Sequence, residues 1–195
     1  MNVVAAGRSA APFLLPSDRT VSTMTATPAA SLSLFRFDAH MAGSAWQCVD
    51  DPVMGGRSRS EFLRTDRGFA CFTGTLSLDN GGGFCSVHST ECTSSFRGYS
   101  GIRIRHRGDG RTYALGLHQR SMQPGISYRC RFATVAGCWL ESELPFDDFV
   151  LMRYGQRAGV NPVQPERISS VSILIADKIE GPFALELEEI SLWHR

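Results

Sequence analysis

Five histidines, six cysteines and the adjacent aspartates Asp50 and Asp51 are the groups in this 195-residue chain best suited to act on a substrate or hold a metal. His40, His88, His106, His118 and His194 form no HExxH or similar ligand pair. Cys48, Cys71, Cys85, Cys92, Cys130 and Cys138 include no CxxC, and no Cys/His group has zinc-ligand spacing. No GxSxG elbow presents a nucleophilic serine. Asp50 and Asp51 are neighbours, and neighbouring side chains on an extended segment point to opposite faces, so they do not share a substrate. Gly81-Gly82-Gly83 leads into a strand rather than a helix, which removes the phosphate-cradling geometry of a glycine-rich loop. With no nucleophile–base pair and no ligand set assembled, the expectation is a protein without catalytic residues, metal or cofactor.

Composition narrows the class further. The chain is 43% hydrophobic and 20% charged, an ordinary globular balance that excludes collagen-like and wholly disordered chains. Twenty basic residues, of which only Lys178 is lysine, face nineteen acids, for a net charge of +1. Such a balance gives no reason to expect a nucleic-acid partner. Apolar stretches such as Ile173-Leu174-Ile175-Ala176 fall far short of the roughly 20 residues a membrane span requires, so membrane association is at most peripheral. The six cysteines read as reduced thiols acting as small hydrophobes, and Cys130, alternating with Tyr128 and Phe132, has a core position.

Two regions differ in character. Residues 1–32 are rich in Ala, Ser, Thr and Pro without a periodic pattern, and read as a disordered tail, an organelle transit segment or an over-extended start preceding Met24. The compartment follows from that choice: mitochondrial or plastid with a transit segment, cytoplasmic for a bacterial chain. Residues 33–195 read as one domain of strands. Ile102, Ile104 and His106 alternate with Arg103, Arg105 and Arg107; Tyr128, Cys130 and Phe132 alternate with Arg129 and Arg131; Leu185 and Leu187 alternate with Glu186 and Glu188. This period of two, punctuated by glycine-rich turns, predicts an all-β antiparallel sandwich or jelly roll. Strands are expected near 34–38, 58–65, 68–78, 84–89, 99–107, 111–120, 127–135, 138–144, 168–176 and 183–193.

In such a sandwich each sheet keeps an outer face. Arg103, Arg105 and Arg107 are expected on one strand of a polar trough and Arg129 and Arg131 on another. Cross-strand pairing with Glu141, Glu143, Glu186 and Glu188 would neutralise it; left open, it would suit an acidic or hydroxylated partner surface. His106, in the inward phase, is expected to be buried and structural. Asp51 is expected to cap the Met54-Gly55-Gly56 turn through its side chain. Asp109 is placed to neutralise Arg107 or Arg111; Asp177 and Lys178 either pair with each other at a strand end or present opposite charges to a partner; Trp46 and Trp139 are expected to anchor the core.

The order of motifs resembles a known family. Trp46-x-x-Val49-x-Asp51-x-Val53-Met54-Gly55-Gly56-x-Ser58 is similar to the opening signature of the complex I intermediate-associated protein 30 family. The likeness continues through Phe72-x-Gly74-x-Leu76-Ser77-Leu78-Asp79-Asn80, Gly82-Gly83-Phe84-Cys85-Ser86-Val87, Tyr99-x-Gly101-Ile102 and Arg105-x-Arg107-Gly108-Asp109-Gly110-Arg111-x-Tyr113. It ends with Trp139, Leu144-Pro145-Phe146-x-x-Phe149 and Asp177-Lys178-x-x-Gly181-Pro182-Phe183. Asp50, Pro52 and Cys85 depart from the family's usual Asn, Gly and Ala.

The resemblance implies a galactose-binding-domain-like β-sandwich and a non-catalytic, chaperone-like role in assembling a multisubunit membrane complex. Respiratory NADH:ubiquinone oxidoreductase is the first candidate complex and its subunits are the expected partners. A carbohydrate-binding module on the same scaffold is the alternative. The resemblance and the patterning together nominate Asp51, Met54, Gly55, Gly56, Ser58, Asn80, Arg103, Arg105, Arg107, Asp109, Arg111, Asp177 and Lys178 as partner-binding residues.

Overall fold

The computed structural model describes residues 31–37 and 46–194, with the backbone alone at positions 53 and 54. The expected disordered or transit segment before residue 31 lies outside the described residues. Among the described residues thirteen strands run in chain order: β1 Leu32–Arg36, β2 Trp46–Asp50, β3 Arg59–Arg64, β4 Ala70–Leu76, β5 Cys85–Ser89, β6 Gly101–Gly108, β7 Thr112–Gln119, β8 Ile126–Ala133, β9 Trp139–Pro145, β10 Val150–Arg153, β11 Gln156–Arg157, β12 Ile168–Ile175 and β13 Gly181–Trp193. The alternating segments read from sequence all form strands, and the described connections hold only short 3-10 turns. Sequence reading passed over β2, β10 and β11. They are short or edge strands, where one face or one hydrogen-bonding edge stays wet and the apolar alternation is weak.

The strands form two antiparallel sheets. One has the order β3-β4-β13-β6-β9, with β1 also paired to β13; the other has the order β11-β10-β8-β7-β12-β5-β2. The 13-residue β13 organises the first sheet. It pairs with β6 over most of its length, with β4 along its first half and with β1 along its second. A register shift between Leu187 and Glu189 lets one long strand serve partners of different length. Leu32, at the start of β1, pairs with Leu192.

The core lies between the sheets. Ile102, Ile104, Leu185 and Leu187 from one sheet meet Leu115, Leu117, Ile173 and Ile175 from the other, all fully buried. Each such side chain contributes about 1.5–3 kcal/mol of transfer free energy on burial. Aromatic contacts stitch the layers: Tyr113 meets Phe183 at 6.4 Å, and Trp46 meets Phe35 at 5.1 Å and Phe62 at 5.2 Å. His106 is fully buried, its ring tilted against that of Phe132 at 4.9 Å, with Nε2 2.8 Å from Ser142 Oγ. Burial lowers its pKa to about 4, so it stays neutral as part of the core. All six cysteines are unpaired, with Cys85 and Cys130 buried in the apolar cluster. Among the described residues no helix is long and apolar enough to cross a membrane.

Candidate partner-binding surfaces

The predicted residues divide between one loop end and one sheet face. The loop end is built around Asp51, which directly follows β2 and is 1% exposed. Its carboxylate accepts from Ser58 N at 2.7 Å, Ser58 Oγ at 2.5 Å, Gly83 N at 2.6 Å and Phe84 N at 3.3 Å. Burial alone would raise its pKa, but the Ser58 hydroxyl and the Gly83, Ser58 and Phe84 amides outweigh it and hold the pKa low. This corrects the expected cap. The 3-10 turn Asp51–Met54 is closed by backbone carbonyls, those of Pro52 and Asp51 accepting from Gly55 N and Gly56 N. The carboxylate instead ties that turn to the starts of β3 and β5, one strand from each sheet. Glycine is required beside it, since a Cβ at Gly56 or Gly82 would run into the carboxylate. The Met54 side chain lies outside the described residues.

Asn80 joins the same end, its Nδ2 donating to Gly55 O at 3.2 Å. A second knot completes it. Arg111 makes a two-pronged ion pair with Asp177, Nε to Oδ2 at 2.9 Å and Nη2 to Oδ1 at 2.7 Å, with side chains only 10% and 8% exposed. Arg111 also donates to Pro182 O at 2.9 Å and to Ile179 O. The hydrogen bond and charge of Asp177 raise the Arg111 pKa. At Asp177 burial opposes ionisation, but the Arg111 hydrogen bond prevails and lowers the pKa. The expected Asp177–Lys178 pair is therefore replaced, because the planar guanidinium can meet both oxygens of the carboxylate. Asp109 does not ion-pair with Arg107 or Arg111. It accepts from Arg111 N at 3.0 Å, Tyr113 Oη at 3.1 Å and Ala184 N at 2.9 Å. Lys178 is exposed with φ +67° and Ile179 is 58% exposed, so this end offers a cation, an aliphatic side chain and the amide of Asn80 to solvent.

Arg103, Arg105 and Arg107 lie on the outer face of the six-stranded sheet. Arg103 contacts Glu141 at 3.2 Å and Glu143 at 2.6 Å; Arg105 pairs with Glu188 and Arg107 with Glu186. The face is thus a neutralised ladder, the closed form of the predicted trough. Trp139 belongs to it as well, a correction to its expected core position. Phe69 is 5.9 Å from its ring, the Arg107 guanidinium lies 5.1 Å from the ring centre and Arg105 lies at 5.7 Å.

Arg129 and Arg131 were expected on the same face as this ladder. They stand on the opposite sheet, because β8 pairs with β7 and β10. Register places Gln47, His88, Ser172, Gly116, Arg129 and Val150 side by side in one row across six strands. His118 Nε2 is 3.0 Å from Ser172 Oγ, His88 Nε2 is 3.1 Å from Ser86 Oγ, and the two imidazoles are 5.1 Å apart. Arg129 Nε donates to Ser127 Oγ at 3.1 Å. Burial lowers the His118 pKa to about 4, helped by His88 and Arg129; burial and Arg129 also lower that of His88. Both are neutral at pH 7. Sequence reading missed this cluster apart from the two arginines, since single histidines and serines on separate strands carry no spacing signal. Among the described residues no group of three or more His, Cys, Asp or Glu is placed to hold a metal.

These two antiparallel sheets define a β-sandwich of the carbohydrate-binding-module type. A family 11 carbohydrate-binding module from Clostridium thermocellum superposes with a TM-score of 0.60, at 14% identity, covering 88% of this chain and 97% of that one. At that identity the likeness concerns fold. Residues 35–187 match the model of the complex I intermediate-associated protein 30 family, and the chain belongs to that family. The mouse mitochondrial complex I intermediate-associated protein 30 is 27% identical over 170 residues, covering 76% of this chain and 52% of that protein. The probable Caenorhabditis elegans counterpart, also named mitochondrial, is 28% identical over 181 residues, covering 82% and 53%. The chain thus spans about half the length of the curated relatives it matches.

Proposed function

We propose that this protein is a non-catalytic assembly factor, a chaperone-like binding protein for subunits of NADH:ubiquinone oxidoreductase or a related bioenergetic complex. The observation that carries the reading is the family match over residues 35–187, which takes in both sheets almost entirely. The names of the relatives support a mitochondrial site of action. The architecture suits binding: buried Asp51 and Ser58 and the half-buried Arg111 fix the loop end, while Asn80, Lys178 and Ile179 face outward as contacts for a client. Arg103, Arg105 and Arg107 can serve the same client only by exchanging their glutamate partners.

A carbohydrate-binding role is the second reading, favoured by the fold likeness alone. Sugar recognition uses exposed aromatic faces for stacking. The outward positions of the seven-stranded sheet carry no Trp, Tyr or Phe, and Trp139 sits on the other sheet beneath Arg107.

The deciding experiment is deletion of the gene followed by native-gel separation of membrane complexes. Accumulation of a stalled subcomplex that the restored gene clears supports the assembly role. Normal complexes in the deletion strain would overturn it.

A further inference from the structure

The two sheets differ sharply in charge. The strands of the six-stranded sheet carry six Arg and six Glu, mostly in the ladder. The strands of the seven-stranded sheet carry four Arg and a single acid, Asp50. Asp50 is already engaged, accepting from Ser60 N at 2.7 Å and Ser60 Oγ at 2.6 Å. Arg129 and Arg131 therefore have no ion-pair partner among the described residues. Arg129 is half-buried, and a cation removed from water without a counter-charge is costly. That cost is recovered when a ligand supplies the missing charge.

Geometry restricts the ligand. Arg129 and Arg131 are alternate residues of β8, projecting from one face about 6.8 Å apart. An extended peptide presents its own alternate side chains at the same repeat. Gly116, next to Arg129 in register, keeps the floor low, and the neutral imidazoles of His88 and His118 add no competing positive charge at pH 7. We infer that the outer face of the seven-stranded sheet binds an extended acidic segment of a client protein, two carboxylates spaced two residues apart meeting Arg129 and Arg131. This rests on the assembly-factor reading and adds the chemistry of the client.

The test uses the full chain and a fluorescein-labelled peptide, acetyl-Ser-Glu-Thr-Glu-Ser-amide, beside its Gln-for-Glu counterpart, followed by fluorescence anisotropy at pH 7 and low ionic strength. The Glu peptide should bind at least about tenfold more tightly than the Gln peptide, and Arg129→Gln and Arg131→Gln should each weaken it about tenfold. Arg97→Gln, an exposed loop position, should bind as the parent does. Arg131 is exposed, so its variant keeps the test intact if Arg129→Gln fails to fold. Equal affinity for the two peptides, no binding, or unchanged binding by both variants overturns the inference. So does saturable binding of a mixed-linked β-glucan tetrasaccharide that Arg129→Gln abolishes. Capture from solubilised native membranes separates this from the wider reading. If parent and variants recover complex I subunits equally, the acidic-segment inference fails and the assembly role stands. If the parent recovers none, the assembly role fails.

Discussion

Asp51 Oδ2 and the Gly83 amide nitrogen lie 2.6 Å apart, although 32 positions separate them in the chain. The same carboxylate holds Ser58, so one buried anion sets the end of β2 against the starts of β3 and β5. Asp51→Ala leaves the Ser58 and Gly83 amides buried without an acceptor, each worth about 1–3 kcal/mol. Urea unfolding should therefore show a loss of about 2–6 kcal/mol, with Asp51→Asn losing less because one acceptor oxygen remains. A variant within about 0.5 kcal/mol of the parent would contradict the role given to this carboxylate.

The glycines around it should respond unequally. At Gly56 and Gly82 an added methyl collides with the Asp51 carboxylate, at 2.6 Å from Oδ2 in the second case. Gly55 has φ +92° with open space around it, so alanine there meets backbone strain alone. Thermal melts should rank Gly56→Ala and Gly82→Ala as the more damaging, by about 2–3 kcal/mol, against about 1 kcal/mol for Gly55→Ala. The reverse order would show that the carboxylate can move aside.

Removing one side of the Arg111–Asp177 pair strands a buried charge. Arg111→Ala and Asp177→Ala should each cost about 3–5 kcal/mol, and the double variant should be far from additive. Arg111→Lys should rescue little, because an ammonium cannot reproduce the two-pronged contact and the carbonyl bonds together. By contrast, the exposed Arg105–Glu188 pair should contribute at most about 1 kcal/mol, and that only at low salt. A double-mutant cycle on each pair gives the comparison directly.

Acid should destabilise the sandwich before its carboxylates titrate. His106 and His118 have pKa values of about 4 against 6.5 for a free imidazole. Between those values the unfolded chain binds more protons than the native one, so stability is whole above pH 6.5 and falls as pH drops toward 4. Each histidine adds up to about 1.4 kcal/mol per pH unit to that slope. Asp51 and Asp177, with lowered pKa values, extend the loss to lower pH. Denaturant midpoints measured from pH 7 to pH 4 should show the fall, and His106→Gln should flatten it. An unchanged slope in that variant would mean the imidazole takes up its proton without unfolding.

Much of the fold was legible in the sequence because a strand is a local object. A period of two along Ile102–Arg107, Tyr128–Phe132 or Leu185–Glu188 states which face is dry, whichever strand lies alongside. The same local rule identified His106 as a core residue and matched the arginines with glutamates at the right phase. Asp51, Arg111 and Asp177 were nominated for partner binding, whereas the contacts they make within the chain were not foreseen. A hydrogen bond across 32 positions or an ion pair across 66 depends on which loops meet at the end of the sandwich.

The tertiary structure alone decided which strands share a sheet. Alternation fixes the face of a residue relative to its own strand and says nothing about neighbours, so Arg129 looked like a companion of Arg105 and turned out to stand on the opposite sheet. Pairing sets that assignment, through long-range hydrogen bonds between β8, β7 and β12. The same pairing gathers His88, Ser172, Gly116 and Arg129 into one row from four separate strands, which no spacing in the chain could announce.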